Sequence, residues 1–200
     1  MLRSRLVLGR PSEGEVSQWY GARQLQDGLP HAGQDYKFIN SNGKVCRYAY
    51  AAHDGEVLWA DDSRKMGWPN LWYINPDFDG PANGDQSGGN MVYIGIKDYD
   101  TGAPFADIGY GHLEEIWVKK GQWVKRGQII GIVGESGYSA GKHLHFSLMF
   151  RPFNYATSTY GCSDPNPYFE TQGGKLVLPQ SERVYTDNEK FLLNLNLTLP

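Results

Sequence analysis

Two histidines, His143 and His145, stand two positions apart in the segment GKHLHF. At this spacing two side chains share one face of a β-strand, whereas on a helix they point in nearly opposite directions. In the surrounding HLHFSLMF every second residue is apolar, which predicts a strand that buries its apolar face in a core. We therefore expect both imidazoles to lie side by side on the opposite face, where they can line a cleft.

A second pair of candidate ligands, His31 and Asp35, lies in the segment HAGQDY. Gly33 between them favours a bend over a helical turn, so the imidazole can fold back beside the carboxylate. A catalytic zinc ion takes three protein ligands of these types and leaves one position for water. His31, Asp35 and one histidine of the HLH pair would complete such a set, although each pair alone is also compatible with ordinary surface residues.

Short β-strands must position these residues. From His31 onward the chain is a series of short apolar runs between turn residues, including DYKFI, VCRYAYAA, GEVLWA and NMVYIGIK. The 25 glycines and 11 prolines also favour strands and turns over long helices. With 200 residues and a hydrophobic content of 40%, the chain can bury one sizeable core. The sequence therefore predicts one mainly β domain.

Changes in composition divide the chain into three parts. We predict an N-terminal arm at residues 1–25, the β domain at 26–170 and a C-terminal extension at 171–200. Within the domain, residues 61–90 are rich in Pro, Gly, Asn and Asp, yet they contain Trp68 and Trp72. A long irregular segment of this kind is usually functional, so we predict that it forms one wall of a groove.

The overall charge argues against several classes of partner. A formal net charge of −3 and a pI near 5.9 give no electrostatic reason to bind nucleic acid or an anionic membrane. The first apolar run ends at Gly9 and is too short for a secretory signal, and no later run has transmembrane length. We therefore expect no signal peptide and no membrane insertion. Cys46 and Cys162 fit no zinc-finger or CxxC spacing, so a disulfide and two free thiols both remain open.

The order of the motifs carries a family resemblance. The series HAGQDY, AAHDGEV, YGHL, VKKGQWVKRGQIIGIVGESGYSAGKHLHF and DPNPYF resembles the lysostaphin-type (LytM-like) zinc metallopeptidases, which cut peptidoglycan. The resemblance covers about residues 30–170. It implies a zinc metallopeptidase domain at 26–170 with an antiparallel β-sandwich or barrel-like fold of the duplicated hybrid motif type. In such a fold an open groove would have zinc at its floor.

The same resemblance implies a role for each histidine of the motifs. His31, Asp35 and His145 would be the ligands of one Zn²⁺ per chain. His112, from YGHL, and His143 would be the catalytic pair that handles the water and the transition state. The sequence leaves open which of the two accepts the proton and which stabilises the oxyanion.

The implied reaction is hydrolysis of an amide in a stem peptide or cross-bridge of peptidoglycan, at the bacterial cell wall. The absence of a signal peptide indicates either a leader that has been removed or a protein released by lysis, such as a phage lysin or a virion-associated hydrolase. Of these two we favour the phage origin. The alternatives are a virion structural or tail-tip component, or a non-catalytic activator module with the same fold. The bond that is cut, the host and the oligomeric state do not follow from the sequence.

Three other residues resemble catalytic groups but lack the pattern that would support this role. Glu114 and Glu115 follow His112 in HLEEI, but the helical HExxH motif of other metalloproteases is absent. We predict that both glutamates are solvated turn residues. His53 lies in AAHDGEV, at a position where the resemblance requires no histidine, and is predicted to be structural or at the surface.

Overall fold

The structure is a computed structural model that describes residues 6–24, 28–66, 88–154, 157–172 and 175–176. Within these ranges the chain forms β-strands and two short 3-10 turns, at Ser63–Lys65 and Asn166–Tyr168. No helix there is long and apolar enough to cross a membrane. The strands are β1 (Val16–Gln18), β2 (Gln34–Lys37), β3 (Tyr48–Tyr50), β4 (Gly55–Asp62), β5 (Asn90–Lys97), β6 (Pro104–Ile116), β7 (Trp123–Val124), β8 (Ile129–Val133), β9 (His143–Phe150), β10 (Cys162–Ser163), β11 (Thr171–Gln172) and β12 (Lys175–Leu176).

Ten of the described strands form one antiparallel sheet. Its main path runs β1-β2-β9-β6-β5-β4-β7, while β10 joins β9, β8 joins β6 and β3 joins β8. β11 and β12 form a separate hairpin. The predicted mainly β, antiparallel fold is confirmed, and the sheet is open and branched rather than closed. The groove stays a prediction, because residues 67–87, with Trp68 and Trp72, lie outside the described residues.

The alternation predicted along β9 is present in the structure. Leu144, Phe146 and Leu148 have no exposed surface and belong to the main hydrophobic core. The ring of Phe146 packs edge-on against that of Tyr110 from β6, with centroids 5.3 Å apart. Burial of this face of β9 fixes His143 and His145 on the other face, as the period of two requires.

The described part of the predicted N-terminal arm packs against the sheet. Leu8 is fully buried, and its backbone N–H donates to the Tyr168 carbonyl at 2.7 Å. The Glu170 N–H in turn donates to the Leu8 carbonyl, also at 2.7 Å. These contacts hold residues near both ends of the domain together. The division into 1–25, 26–170 and 171–200 stays a prediction, and residues 177–200 lie outside the described ranges.

Strand β6 changes its pairing partner at His112. Residues 106–111 pair with β9, and the ladder to β8 begins at Leu113. His112 itself has a φ of 62°, in the left-handed region, and its N–H donates to the Gly88 carbonyl at 2.8 Å. A left-handed residue other than glycine is uncommon and marks a locally strained backbone. This turn in β6 brings the His112 ring to within 4.7 Å of the His143 ring, measured between centroids.

Cys46 and Cys162 are both buried free thiols, which decides between the two open alternatives. The Cys46 N–H donates to the carbonyl of Phe38, the residue after Lys37, and Lys37 pairs with His143 at the start of β9. Cys162 pairs with Met149, near the end of β9. The two cysteines therefore lie near opposite ends of β9, roughly 20 Å apart at the rise of an extended strand. A disulfide needs Cα atoms within about 7 Å, so this fold does not bring the thiols together.

Replacing Tyr110 with phenylalanine is expected to destabilise the fold. Tyr110 is fully buried, and its hydroxyl oxygen accepts a hydrogen bond of 2.7 Å from the Ala52 N–H. Loss of the acceptor leaves a buried donor unsatisfied, which should lower the free energy of unfolding by about 1–3 kcal/mol. Urea unfolding measures this change. Tyr99 is 97% exposed and supplies the control, because Tyr99→Phe should leave stability unchanged. Equal stabilities of the two variants would contradict the prediction.

Candidate metal and catalytic site

The ligand atoms of the predicted metal set converge in the structure. His31 Nε2 lies 3.3 Å from Asp35 Oδ1 and 3.1 Å from His145 Nδ1. His145 Nδ1 lies 3.0 Å from the same carboxylate oxygen. All three residues are buried. Residues from distant parts of the sequence thus place two imidazole nitrogens and one carboxylate oxygen around a single point.

The register of β2 against β9 brings two of the three residues together. Asp35 stands directly opposite His145 in this antiparallel pair, so their side chains lie next to each other on one face. His31 precedes β2, and its N–H donates to the Ala22 carbonyl at 2.8 Å. The Trp19 carbonyl lies 3.4 Å from His31 Nδ1. A hydrogen on Nδ1 would point to this carbonyl and leave Nε2 free to act as a ligand.

Charge and burial set the protonation states of the cluster. Burial alone would raise the pKa of Asp35, but the hydrogen bond from His145 and the adjacent His31 imidazole outweigh this effect and hold the pKa well below its usual range. Burial lowers the pKa of His145, and the hydrogen bond to Asp35 only partly offsets this effect. Burial also lowers the pKa of His112 to about 3, with a further contribution from nearby His143. Asp35 is therefore ionised at neutral pH, and His112 and His145 are neutral.

These residues fit a zinc ion. Neighbouring ligand atoms of a tetrahedral zinc site with nitrogen and oxygen ligands are about 3.3–3.6 Å apart. The observed separations of 3.0–3.3 Å are close to these values. Ionised carboxylates and neutral imidazoles are also the forms in which these groups bind metal. The donor set of two nitrogens and one oxygen is typical of catalytic zinc sites that keep one position open.

Gly33 leaves the room that the His145 ring occupies. A Cβ atom on Gly33 would lie 2.4 Å from His145 Nε2 and 2.6 Å from the Phe146 carbonyl oxygen, which is too close for either contact. Gly33→Ala is therefore expected to displace the ring and to lower zinc affinity by about 10-fold or more. Competition with a chromophoric chelator measures the affinity. Gly9→Ala is the control, since its Cβ would lie 3.2 Å from the flexible Arg126 side chain and at an ordinary contact distance of 3.6 Å from the Ala52 carbonyl oxygen. Equal affinities would contradict the prediction.

The predicted catalytic pair lies beside the ligand atoms. His112 Nδ1 lies 2.8 Å from the Ser136 carbonyl, and His143 Nδ1 lies 2.8 Å from the Gly141 carbonyl. A carbonyl oxygen only accepts, so both contacts favour a hydrogen on Nδ1 and leave Nε2 as the acceptor. His143 Nε2 lies 3.7 Å from Asp35 Oδ2 and therefore faces the ligand set. The structure brings all five predicted site residues into one cluster.

The other candidate groups have contacts of a different kind. Glu114 is exposed and forms an ion pair with Lys142, and Glu115 accepts a hydrogen bond from the indole N–H of Trp117. His53 is half-buried, and its Nδ1 contacts the Asp54 carbonyl at 2.7 Å. Both glutamates are exposed, as predicted, but they lie in β6, so the prediction of a turn is wrong. His53 has the structural role that the sequence predicted.

Sequence reasoning missed the groups that orient the histidines. Three of these groups are backbone carbonyls, of Trp19, Ser136 and Gly141, and carbonyls have no sequence signal. The fourth is the Ser139 hydroxyl, which lies 3.2 Å from His143 Nδ1. A serine four residues before a histidine in a turn is a weak signal of a local side-chain hydrogen bond.

The chain is similar in sequence to known peptidases. The pattern of Peptidase family M23 matches residues 81–156, which include three of the five site residues. The chain is 44% identical over 95 residues to the glycyl-glycine endopeptidase ALE-1 of Staphylococcus capitis, over 44% of this chain and 25% of that protein. It is 55% identical over 135 residues to the peptidoglycan DD-endopeptidase ShyA of Vibrio cholerae, over 59% of this chain and 31% of ShyA. The chain thus spans less than a third of the length of either relative.

The fold is also similar to a solved peptidase domain. The catalytic domain of the antimicrobial peptidase lysostaphin from Staphylococcus simulans matches with a TM-score of 0.53 and 26% identity. The match covers 78% of this chain and 91% of the lysostaphin domain. The open antiparallel sheet, the motif order and these similarities agree. Residues 81–156 are thus similar to Peptidase family M23, and the fold is similar to that of the lysostaphin catalytic domain.

Proposed function

We propose that this chain is a zinc-dependent endopeptidase that hydrolyses an amide bond in the stem peptides or cross-bridges of peptidoglycan. The observation that carries the proposal is the convergence of His31, Asp35 and His145 beside His112 and His143. The match of residues 81–156 to a peptidase family supports hydrolysis of a peptide bond. The relatives' names, a glycyl-glycine endopeptidase and a peptidoglycan DD-endopeptidase, support the substrate class.

In this proposal His31 Nε2, Asp35 Oδ1 and His145 Nδ1 hold one zinc ion per chain. When bound, zinc supplies a Lewis acid that polarises the scissile carbonyl and lowers the pKa of a water molecule. Asp35 contributes the negative charge of the ligand set. Burial of all three residues excludes solvent from this side of the site and strengthens their electrostatic interactions.

His112 and His143 would move the proton and stabilise the developing charge. When Nδ1–H is held by a carbonyl and Nε2 carries no hydrogen, each ring offers its Nε2 lone pair to a proton of the attacking water. A ring that has accepted a proton can then donate from Nε2 to the oxyanion or to the leaving amine. Because the two rings lie 4.7 Å apart, both can reach the same reacting group.

Digestion of defined peptidoglycans by the zinc-loaded chain tests the proposal. One substrate should carry glycine cross-bridges and another direct D-Ala to diaminopimelate cross-links, because the relatives' names differ in the bond they specify. New free amino groups measure the rate, and fragment masses identify the bond. Zinc-dependent release of fragments from either substrate supports the proposal. A folded, zinc-loaded chain that releases none from any substrate contradicts it.

A non-catalytic activator module is less well supported, because such a module would typically have lost ligand residues. Action on the cell wall, outside the cytoplasm, is part of the same proposal. The phage or virion origin stays a prediction from the sequence, and so does the role of residues 61–90 as one wall of a groove.

A further inference from the structure

The loop between β8 and β9 contacts both proposed catalytic histidines. Its residue Ser136 provides the carbonyl at 2.8 Å from His112 Nδ1. The Ser136 hydroxyl donates to the Leu113 carbonyl at 2.7 Å and accepts from the Asn90 N–H at 2.9 Å. These bonds fasten the first half of the loop to β5 and β6. The second half therefore extends from a fixed anchor toward β9.

Ser139 lies in the second half of the loop, within hydrogen-bonding distance of His143. Its hydroxyl oxygen is 3.2 Å from His143 Nδ1 and donates to the Gly141 carbonyl at 2.8 Å. The same carbonyl is 2.8 Å from His143 Nδ1. Hydroxyl, carbonyl and ring nitrogen thus form a closed triangle on one edge of the imidazole. The other edge carries Nε2, which faces Asp35 at 3.7 Å.

The orientation of the His143 ring depends more on hydrogen bonds than that of the His112 ring does. The side chain of His143 is 21% exposed, whereas His112 as a whole is 3% exposed and sits on a strained backbone turn. Packing restricts a buried ring, but a partly exposed ring keeps its orientation mainly through its hydrogen bonds. The contacts at Nδ1 are therefore expected to decide where Nε2 of His143 points.

The hydroxyl of Ser139 can hold this ring in both neutral tautomers. With the ring hydrogen on Nδ1, the Ser139 oxygen can accept from Nδ1–H, which also points to the Gly141 carbonyl, while the hydroxyl hydrogen stays on that carbonyl. With the ring hydrogen on Nε2, the hydroxyl can rotate and donate to Nδ1. The Gly141 carbonyl only accepts, so it can bond to Nδ1 only in the tautomer that carries its hydrogen on Nδ1. The serine thus adds a contact that preserves the ring orientation while the hydrogen changes nitrogen.

We propose that Ser139 is a positioning residue, which holds the His143 imidazole with Nε2 toward the metal ligands. The importance of this orientation for turnover rests on the proposed function. The hydrogen bonds of Ser139 are contacts in the structure and do not depend on the proposed function. Ser139 acts through His143, so substrate binding should be little affected when the hydroxyl is removed.

Three variants of the full chain test this role by kinetics. Ser139→Ala should lower kcat by about 10- to 100-fold, as is typical when a contact that orients a catalytic or ligand group is removed. KM and zinc content should stay close to those of the unchanged protein. Ser139→Thr keeps a hydroxyl and should recover most of kcat. Ser158→Ala removes an exposed loop hydroxyl and should change nothing. Equal losses of kcat in the alanine and threonine variants would overturn the proposal, because loop packing would then be responsible.

Nitrogen-15 spectra of the imidazoles provide a readout that does not require turnover. In Ser139→Ala the signals of His143 should shift, whereas Ser158→Ala should leave them unchanged. If the unchanged protein cuts no peptidoglycan, the proposed function fails while these spectra still decide the role of Ser139. If the protein is active and Ser139→Ala keeps both kcat and the His143 signals, the positioning role is overturned and the proposed function stands.

Discussion

Replacing Asp35 with alanine is expected to remove zinc from the protein and to abolish hydrolysis of peptidoglycan. Asp35 supplies the negative charge of the ligand set, and one of its oxygens lies 3.0 Å from His145 and 3.3 Å from His31. Without it only the two imidazole ligands remain, so zinc affinity should fall by more than about 100-fold, which exceeds the loss expected when a group that only supports a ligand is removed. Elemental analysis after dialysis gives the zinc content, and chelator competition gives the affinity.

The same measurements apply to His31→Ala and His145→Ala, which should lose zinc for the same reason. His53→Ala is the matched control, because this half-buried histidine contacts the Asp54 carbonyl instead of the cluster. It should keep both zinc and activity. Undiminished zinc in all three ligand variants would refute the assignment of the site. Loss of zinc in His53→Ala as well would show that the measurement reports general damage to the fold.

The part of the site that depends on local spacing could be predicted from the sequence. The alternation in HLHFSLMF predicted that His143 and His145 share a strand face, and burial of Leu144, Phe146 and Leu148 on the other face agrees. This inference works because a strand has a fixed period of two, whatever its partners are.

The part that depends on long-range pairing could not be derived in this way. Asp35 meets His145 because β2 and β9 pair in one particular register, and residue spacing along the chain does not determine that register. The resemblance to a family supplied the grouping without a physical reason for it. The same limit applies to Cys46 and Cys162. They lie near opposite ends of β9 because of the way the strands pair, which residue spacing does not determine.

Two backbone features also could not be predicted from residue types. His112 adopts a φ of 62° where β6 exchanges partners. Histidine is more frequent at positive φ than most residues, but a single histidine is too weak a signal to predict a left-handed turn. Gly33 was interpreted as a bend, but its contact with the His145 ring gives a second reason for the missing side chain. Both features serve the site, where strained or crowded backbone is often retained.

The second large effect is expected at His112 and His143, whose variants should keep zinc and lose turnover. For His143 the variant is alanine. For His112 the better variant is asparagine, because asparagine tolerates the left-handed backbone that this position requires. Each substitution removes a group that accepts or donates a proton near the reacting bond, so kcat should fall by about 10²- to 10³-fold. Rates of amine release at saturating substrate, together with zinc content, measure the two properties separately.

Zinc content and turnover, measured together, distinguish a catalytic residue from a metal ligand. His143 Nε2 lies 3.7 Å from Asp35 Oδ2, but the three ligand atoms lie within 3.0–3.3 Å of one another without it. Its loss should therefore leave the donor set complete. If His143→Ala loses zinc while His145→Ala keeps it, the ligand and the catalyst have been exchanged between the two histidines of β9. If both His112→Asn and His143→Ala keep zinc and full turnover, a group outside these five residues must accept the proton, and the catalytic assignment is wrong even if the metal site is right.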